Sequence, residues 1–232
     1  MRPDEGFRRG VIKPIECLKE GFELIKGDYW LLFVIWLVGA LISSASLLVA
    51  SGAMTAGTFY CYLRKIDGEN VSFDDLWKGM KWFLPGLLVM AIIVIPMIAV
   101  YAVIYVPIVM SALMGARLNQ EELLAMLAGV FAVDAVLIVI MICLHSLLIF
   151  TFPVMVDRNT GALRSMFLSA RSVFGNLAGV VGLLGLNFLL ALAGYLVICV
   201  GIYFVIPVII AGNVVAYRKV FPRIPLEGLH SP

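Results

Sequence analysis

Charge is what this sequence has least of. Only 14% of its 232 residues are Asp, Glu, Lys or Arg, whereas 62% are hydrophobic and the mean hydropathy is +1.05. Long stretches carry no charge at all, among them 29–63, 82–116, 123–133 and 177–217. Such runs match or exceed the ~20 apolar residues that cross a hydrocarbon core of about 30 Å. The composition therefore excludes a soluble globular domain, a disordered chain and a nucleic-acid-binding domain. Cysteine is sparse too: Cys17, Cys61, Cys143 and Cys199 show no C-x-x-C spacing and read as reduced or buried thiols. Histidine occurs only at His145 and His230, and H-E-x-x-H, G-x-S-x-G and Walker patterns are missing, as are intramembrane lysines and paired intramembrane carboxylates. Neither a metal nor a cofactor is expected, and the chain reads as non-enzymatic.

The apolar runs that are present resolve into six spans. One helix over 29–63 would be about 52 Å long, too long for a single crossing. It should fold back at the small polar cluster Ser43, Ser44, Ser46, Ser51 and Gly52, giving spans near 29–46 and 49–65. The same arithmetic splits 177–217 around Ala193 and Gly194 into 175–193 and 196–217. Between them lie segments of about 83–113 and 122–156, separated by Arg117, Glu121 and Glu122. Eight spans result if a middle segment is itself a hairpin. The first apolar run starts too late and runs too long for a cleaved signal, so the N-terminus is expected to stay attached.

Charge placement orients the six spans. Arg2, Arg8, Arg9, Lys13, Lys19 and Lys26 precede the first; Arg64, Lys65, Lys78 and Lys81 lie between the second and third; Arg158, Arg164 and Arg171 lie between the fourth and fifth; Arg218, Lys219 and Arg223 follow the last. Only Arg117 falls on the opposite side, which places both termini in the cytoplasm of a bacterial plasma (inner) membrane. Tyr29, Trp30, Trp77, Trp82 and Tyr217 are expected in the inner aromatic belt.

Three cytoplasmic stretches have the period of amphipathic interfacial helices, at 14–27, 72–81 and 161–173. Ile15, Leu18, Phe22 and Ile25 share one face of the first. Phe73, Leu76, Trp77 and Met80 do so in the second, behind a Ser72-x-x-Asp75 capping box. In the third, Leu163, Met166, Phe167, Ala170, Val173 and Phe174 are expected to face in, and Arg164, Ser165, Arg171 and Ser172 to face out. The fold class is thus all-α: one membrane domain over 1–232, a bundle of six transmembrane helices with three interfacial helices.

An internal repeat is suggested by Lys26-Gly27-Asp28 beside Phe174-Gly175-Asn176, and by Ala56-Gly57-x4-Tyr62 beside Ala211-Gly212-x4-Tyr217. Gly57 and Gly212 should then make matching contacts. Hairpins that enter from a basic interface would share such features without a repeat. Asp28 and Asn176 are expected to cap the helices they precede. Gly175, Gly179, Gly182 and Gly185 mark a close-approach face, and prolines 85, 96 and 107 lie on one face of the third span.

The run Lys26-Gly27-Asp28-Tyr29-Trp30, then Phe73-x-x-Leu76-x-x-Gly79, Phe152-Pro153-x3-Asp157-Arg158, Ala162-Leu163-x-Ser165 and Asn176 resembles a broad family of uncharacterised six-helix bacterial membrane proteins. That family is similar to the membrane domain accompanying some glycerophosphodiester phosphodiesterases. The resemblance spans nearly the whole chain and implies fold; no catalytic residue carries over, and the soluble phosphodiesterase domain is lacking.

Asp134 is the outstanding candidate, because an ionisable group in an apolar span costs several kcal/mol unless paired or wet. His145 lies eleven residues on, about 16 Å along the same stripe, too far to touch. A proton path or polar cavity would use that stripe; alternatively Asp134 bonds a neighbouring span, with Asn187 a candidate, while His145 sits near the inner interface. Asp157 and Arg158, with Arg164 and Arg171, could meet a lipid head group or serve the local turn. Expected partners are the anionic lipids of the inner leaflet, with a protein partner or a homo-oligomer open. Two functions follow: a lipid-organising protein that supports a membrane process, or a small transporter or lipid translocator using Asp134 and His145.

Overall fold

The computed structural model describes residues 6–113, 119–197 and 200–223; Arg2, Arg117, Cys199 and His230 lie outside them. Every element among the described residues is helical. Helix α1 (Pro14–Ile25) opens on a proline, whose missing N–H costs nothing in a first turn. It bends by 101° into α2 (Tyr29–Ala45). The chain reverses through Ser46–Ala50, where Leu47 and Leu48 take φ of +48° and +69° and the Ala50 N–H donates to Ser46 Oγ at 3.0 Å. Helix α3 (Ser51–Ile66) follows. A 3-10 helix (Phe73–Trp82), started by the Ser72 N–H donating to the Asp75 carboxylate at 2.9 Å, leads into α4 (Phe83–Leu113). Helix α5 (Gln120–Leu148) begins on a reciprocal cap: the Glu122 N–H donates to Asn119 Oδ1 at 2.8 Å, and the Asn119 N–H donates to the Glu122 carboxylate at 2.9 Å. After a break at Ile149–Phe150 come α6 (Thr151–Asp157), α7 (Ala162–Phe174), α8 (Leu177–Leu196) and α9 (Gly201–Val220).

Four helical stretches are long and apolar enough to cross a membrane: 73–110, 120–157, 177–196 and 201–220. The bent α1–α2 pair passes the same test as a fifth. Helix α3 does not. It is shorter, and Ser51–Met54, Ala56–Thr58 and Cys61–Leu63 are buried against other helices rather than turned towards lipid. Helices α3 and α6 and the C-terminal half of α9 are the most enclosed elements, with Tyr62, Met155 and Tyr217 fully buried, as is Phe150 just before α6. Around them α2 closes on α9 through an aromatic cluster in which Phe33 stacks on Phe204 at 5.2 Å.

Glycine sets how closely the short helices approach this core. A Cβ on Gly57 of α3 would meet the Leu76 carbonyl oxygen of the 3-10 helix at 2.1 Å, and one on Gly79 would meet the Gly57 nitrogen at 2.5 Å. A Cβ on Gly21 of α1 would meet the Gly212 nitrogen of α9 at 2.6 Å. Gly57 and Gly212 are thus each approached closely by a glycine of an amphipathic helix, but a Cβ on Gly57 would meet backbone whereas one on Gly212 would meet the Leu18 side chain at 2.5 Å. At the α7 crossing Ser169 takes the glycine's place: its hydroxyl accepts from the Phe150 N–H at 3.1 Å and donates to the Leu147 carbonyl at 2.7 Å.

Of the amphipathic helices, α7 differs in part from the sequence expectation: Val173 is buried and Arg164 and Arg171 are exposed as expected, but its serines and its largest apolar side chains are turned the other way. In α7 the serine face packs inward, with Ser165, Ser169 and Ser172 buried, and Leu163, Phe167 and Phe174 point outward, 73%, 66% and 68% exposed. In α1 the buried side is Cys17, Gly21 and Ile25, while Ile15 and Phe22 are exposed. The 3-10 helix buries Leu76 and Gly79 and exposes Trp77 and Met80. The reason is the solvent: beside lipid, large apolar groups gain nothing by turning inward, and small or hydroxylated residues allow close helix contact.

The glycine face of α8 is also used in an unexpected way. It receives the extended N-terminal segment rather than another span. Cβ atoms on Gly175, Gly179 and Gly182 would strike Phe7, Ile12 and Pro14 at 2.8, 2.6 and 2.8 Å, whereas Gly185 meets nothing within 4 Å. The Arg8 N–H donates to the Val220 carbonyl at 2.8 Å, tying the segment to the end of α9.

Candidate functional site

Two polar constellations stand out, one between the long arms α4 and α5 and one at the ends of the central helices. In the first, the Tyr105 hydroxyl of α4 donates to Asp134 Oδ2 of α5 at 2.7 Å. The other carboxylate oxygen, Oδ1, is buried without a partner among the described residues. Asp134 thus finds its partner on α4 and not in Asn187, whose amide donates to Asn213 Oδ1 of α9 at 2.9 Å. His145 is exposed on α5, and no hydrogen bond joins it to Asp134 among the described residues. Tyr105 and Asn213 escaped the sequence reading. Each is the kind of polar group that an apolar run tolerates only with a partner, but the partner lies on another helix.

The second constellation gathers chain ends that are far apart in sequence. Arg218 of α9 makes two forks. Its Nε and Nη2 donate to Asp67 at 3.1 and 2.7 Å, and its Nη1 and Nη2 donate to Asp157 at 2.9 and 2.7 Å. The Tyr217 hydroxyl donates to the same Asp157 carboxylate at 2.6 Å, and Arg223 meets Asp67 at 3.0 Å and Glu69 at 3.1 Å. Arg64 of α3 continues the chain to Glu69 at 2.9 Å and to Asp75 at 2.7 Å, where Lys78 also pairs at 2.7 Å. The Arg218, Asp67 and Asp75 side chains are only 12%, 10% and 3% exposed. Planar guanidinium forks matched to carboxylates make these charge-assisted bonds strong. Hydrogen bonds from Arg64 and then Arg223 hold the Glu69 carboxyl below its ordinary value, so the support they give is present near neutrality and fades as acid protonates the group.

This network absorbs several sequence candidates. Asp157 serves Arg218 and Tyr217. Arg158 lies with its guanidinium 4.8 Å from the Phe221 ring, and Arg164 and Arg171 stand exposed on α7. Asp28 and Asn176 occupy the positions before α2 and α8 but make no side-chain cap. Asp28 pairs with Lys65, while Asn176 accepts from the Val11 N–H at 3.2 Å and donates to the Arg8 and Ser172 carbonyls, both at 2.9 Å. Of the aromatic belt, Trp30 and Trp77 are exposed, but Trp82 and Tyr217 are buried. Cys17 and Cys61 are buried free thiols and Cys143 is exposed on α5. No group of metal-ligating side chains occurs among the described residues.

What the fold and these sites define is a class: an all-α, multi-pass membrane protein. Compared with protein-family models, with curated proteins and with solved structures, the chain matches none of them. The resemblance to the membrane domain of glycerophosphodiester phosphodiesterases gains no support there.

Proposed function

We propose that this chain is a non-enzymatic, six-span protein of the bacterial inner membrane, with both termini cytoplasmic, that orders anionic inner-leaflet lipids and so supports a membrane process. The observation that carries this reading is the way α1, the 3-10 helix and α7 are seated, with Gly21, Gly79 and Ser169 at their closest contacts to the core while Ile15, Phe22, Trp77, Met80, Leu163 and Phe167 stay outward. Each also carries an exposed cation, Lys19, Lys81 or Arg171. Held so rigidly, these helices form a collar whose apolar rim enters the lipid while its charges meet head groups, at about 1 kcal/mol per cation near the surface. A three-unit repeat accounts for the collar: Gly21, Gly79 and Ser169 each stand six residues after Ile15, Phe73 and Leu163, and each makes the crossing contact. In that scheme α3 is a span shielded from lipid by its neighbours.

In vesicles containing brominated phosphatidylglycerol, tryptophan fluorescence is expected to be quenched more than in vesicles with brominated phosphatidylcholine. The combined variant Lys19→Gln, Lys81→Gln, Arg171→Gln should remove most of the difference. Equal quenching of the unaltered protein by both lipids would defeat the proposal. The topology is read by single cysteines at Ser44, Asn119 and Gly194 in a cysteine-free chain, all expected to react with an impermeant reagent from outside; a silent Asn119 position would sink six spans.

A second reading, a small transporter or lipid translocator, is favoured by the unpartnered oxygen of Asp134. Here Asp134→Asn should abolish transport by reconstituted protein while insertion stays normal, and an unchanged flux would dismiss it.

A further inference from the structure

The three amphipathic helices are not alike in charge. On α1, Glu16 holds Lys13 at 2.9 Å, Glu20 holds Lys219 at 2.8 Å and Glu23 holds Lys26. On the 3-10 helix, Asp75 holds Arg64 and Lys78, both at 2.7 Å. Helix α7 has no acid of its own, and no Asp or Glu occurs anywhere from 158 to 226 or from 6 to 15. Of the acids that border these stretches, Asp157 is taken by Arg218 and Tyr217, and Asp4 and Glu5 lie outside the described residues.

The fold brings the two acid-free stretches together. The extended segment before α1 crosses the end of α7, where the Asn176 amide donates to the Arg8 carbonyl at 2.9 Å and a Cβ on Gly175 would lie 3.2 Å from Arg9 Cγ. Gly175 follows Arg171 by one helical turn, its N–H donating to the Arg171 carbonyl at 3.2 Å. Arg9 and Arg171 are therefore neighbours, both exposed, and neither is in an ion pair among the described residues. Next to them the Arg9 guanidinium lies 5.7 Å from the Phe7 ring, Phe7 lies 6.2 Å from Phe221, and Arg158 lies 4.8 Å from Phe221 on the far side of the segment. This crescent of arginines borders Phe167 and Phe174, 66% and 68% exposed, and stands at the start of α8, which is long and apolar enough to cross a membrane. A guanidinium fork matches a phosphate, and two neighbouring forks match a head group that carries two. The apolar rim beside them suits lipid rather than an acidic protein segment.

Within the lipid-ordering role proposed above, we propose that Arg9 and Arg171 form a head-group site for a phospholipid with two phosphates. Cardiolipin is the probe. Full-length protein taken from phosphatidylcholine vesicles with equal amounts of cardiolipin and phosphatidylglycerol should, in native mass spectrometry, retain cardiolipin about fivefold over phosphatidylglycerol, the gain from one further phosphate on one further cation. Arg9→Gln with Arg171→Gln should lower cardiolipin retention about thirtyfold. Arg9→Lys with Arg171→Lys should lower it less, since the charge stays and the fork is lost. Lys19→Gln with Lys81→Gln should leave it unchanged. Both arginines are exposed, so an unaltered midpoint of thermal unfolding separates lost binding from lost folding. Inorganic pyrophosphate should not displace the lipid. Displacement by it, or equal cardiolipin retention by the Gln pair and the unaltered protein, would overturn the site. If bromolipid quenching then still favours phosphatidylglycerol over phosphatidylcholine, the collar stands without this site; if it does not, both fall.

Discussion

Arg218→Ala is expected to destabilise the protein by about 3–5 kcal/mol, the range found when one partner of a buried ion pair is removed. The arginine holds both Asp67, at the end of α3, and Asp157, at the end of α6, through two forks. Asp67 keeps Arg223 and Asp157 keeps the Tyr217 hydroxyl, but each loses the guanidinium facing it. In detergent the midpoint of thermal unfolding should fall by on the order of 10 °C. Arg218→Lys should lie between, because one ammonium cannot reproduce two planar forks. The variant Arg218→Met, Asp67→Asn, Asp157→Asn should recover much of the loss, since it leaves no carboxylate unpaired. If Arg218→Ala unfolds with the unaltered protein, the forks are not what ties α3, α6 and α9 together.

Gly57→Leu should be at least as damaging, for a steric reason. Even a Cβ at that position would lie 2.1 Å from the Leu76 carbonyl oxygen, and Gly79 approaches Gly57 backbone to backbone from the same helix. Relief requires the whole 3-10 helix to shift, at a cost above the ~1–3 kcal/mol of ordinary overpacking. Loss of a monodisperse peak in size-exclusion chromatography is the expected result. Gly57→Ala should already lower the unfolding midpoint. Gly185→Ala, with nothing within 4 Å of the added carbon, should raise it slightly by improving helix propensity. The same sign for both alanine variants would mean that close approach does not limit the α3 crossing.

Those two variants probe what was hardest to read in advance. That Gly57 and Gly212 are both points of close approach was visible in their shared sequence pattern; that amphipathic helices rather than other spans approach them was not. Likewise the stripe Gly175, Gly179, Gly182 signals close approach by any backbone, and nothing in it names the Phe7–Pro14 segment as what approaches. Asp134 was conspicuous because a carboxylate in an apolar run needs a partner. Its partner Tyr105 is ordinary among the aromatic residues of a membrane helix, and Asp28 and Asn176 looked like caps until Lys65 and the Arg8 carbonyl were brought beside them.

By itself the sequence determined that this is an all-helical membrane protein. Helix length and the cost of burying charge in hydrocarbon depend only on residues near one another in the chain. The capping signals at Ser72-x-x-Asp75 and Asn119-x-x-Glu122 are local for the same reason. Only the tertiary structure decided which face of each amphipathic helix meets protein, because in lipid a large apolar side chain is satisfied on either side and packing of Gly and Ser breaks the tie. It alone decided, too, that Arg218 closes on Asp67 and Asp157, residues 151 and 61 positions away. An ion pair is chosen by proximity in space, and no pattern along the chain records it.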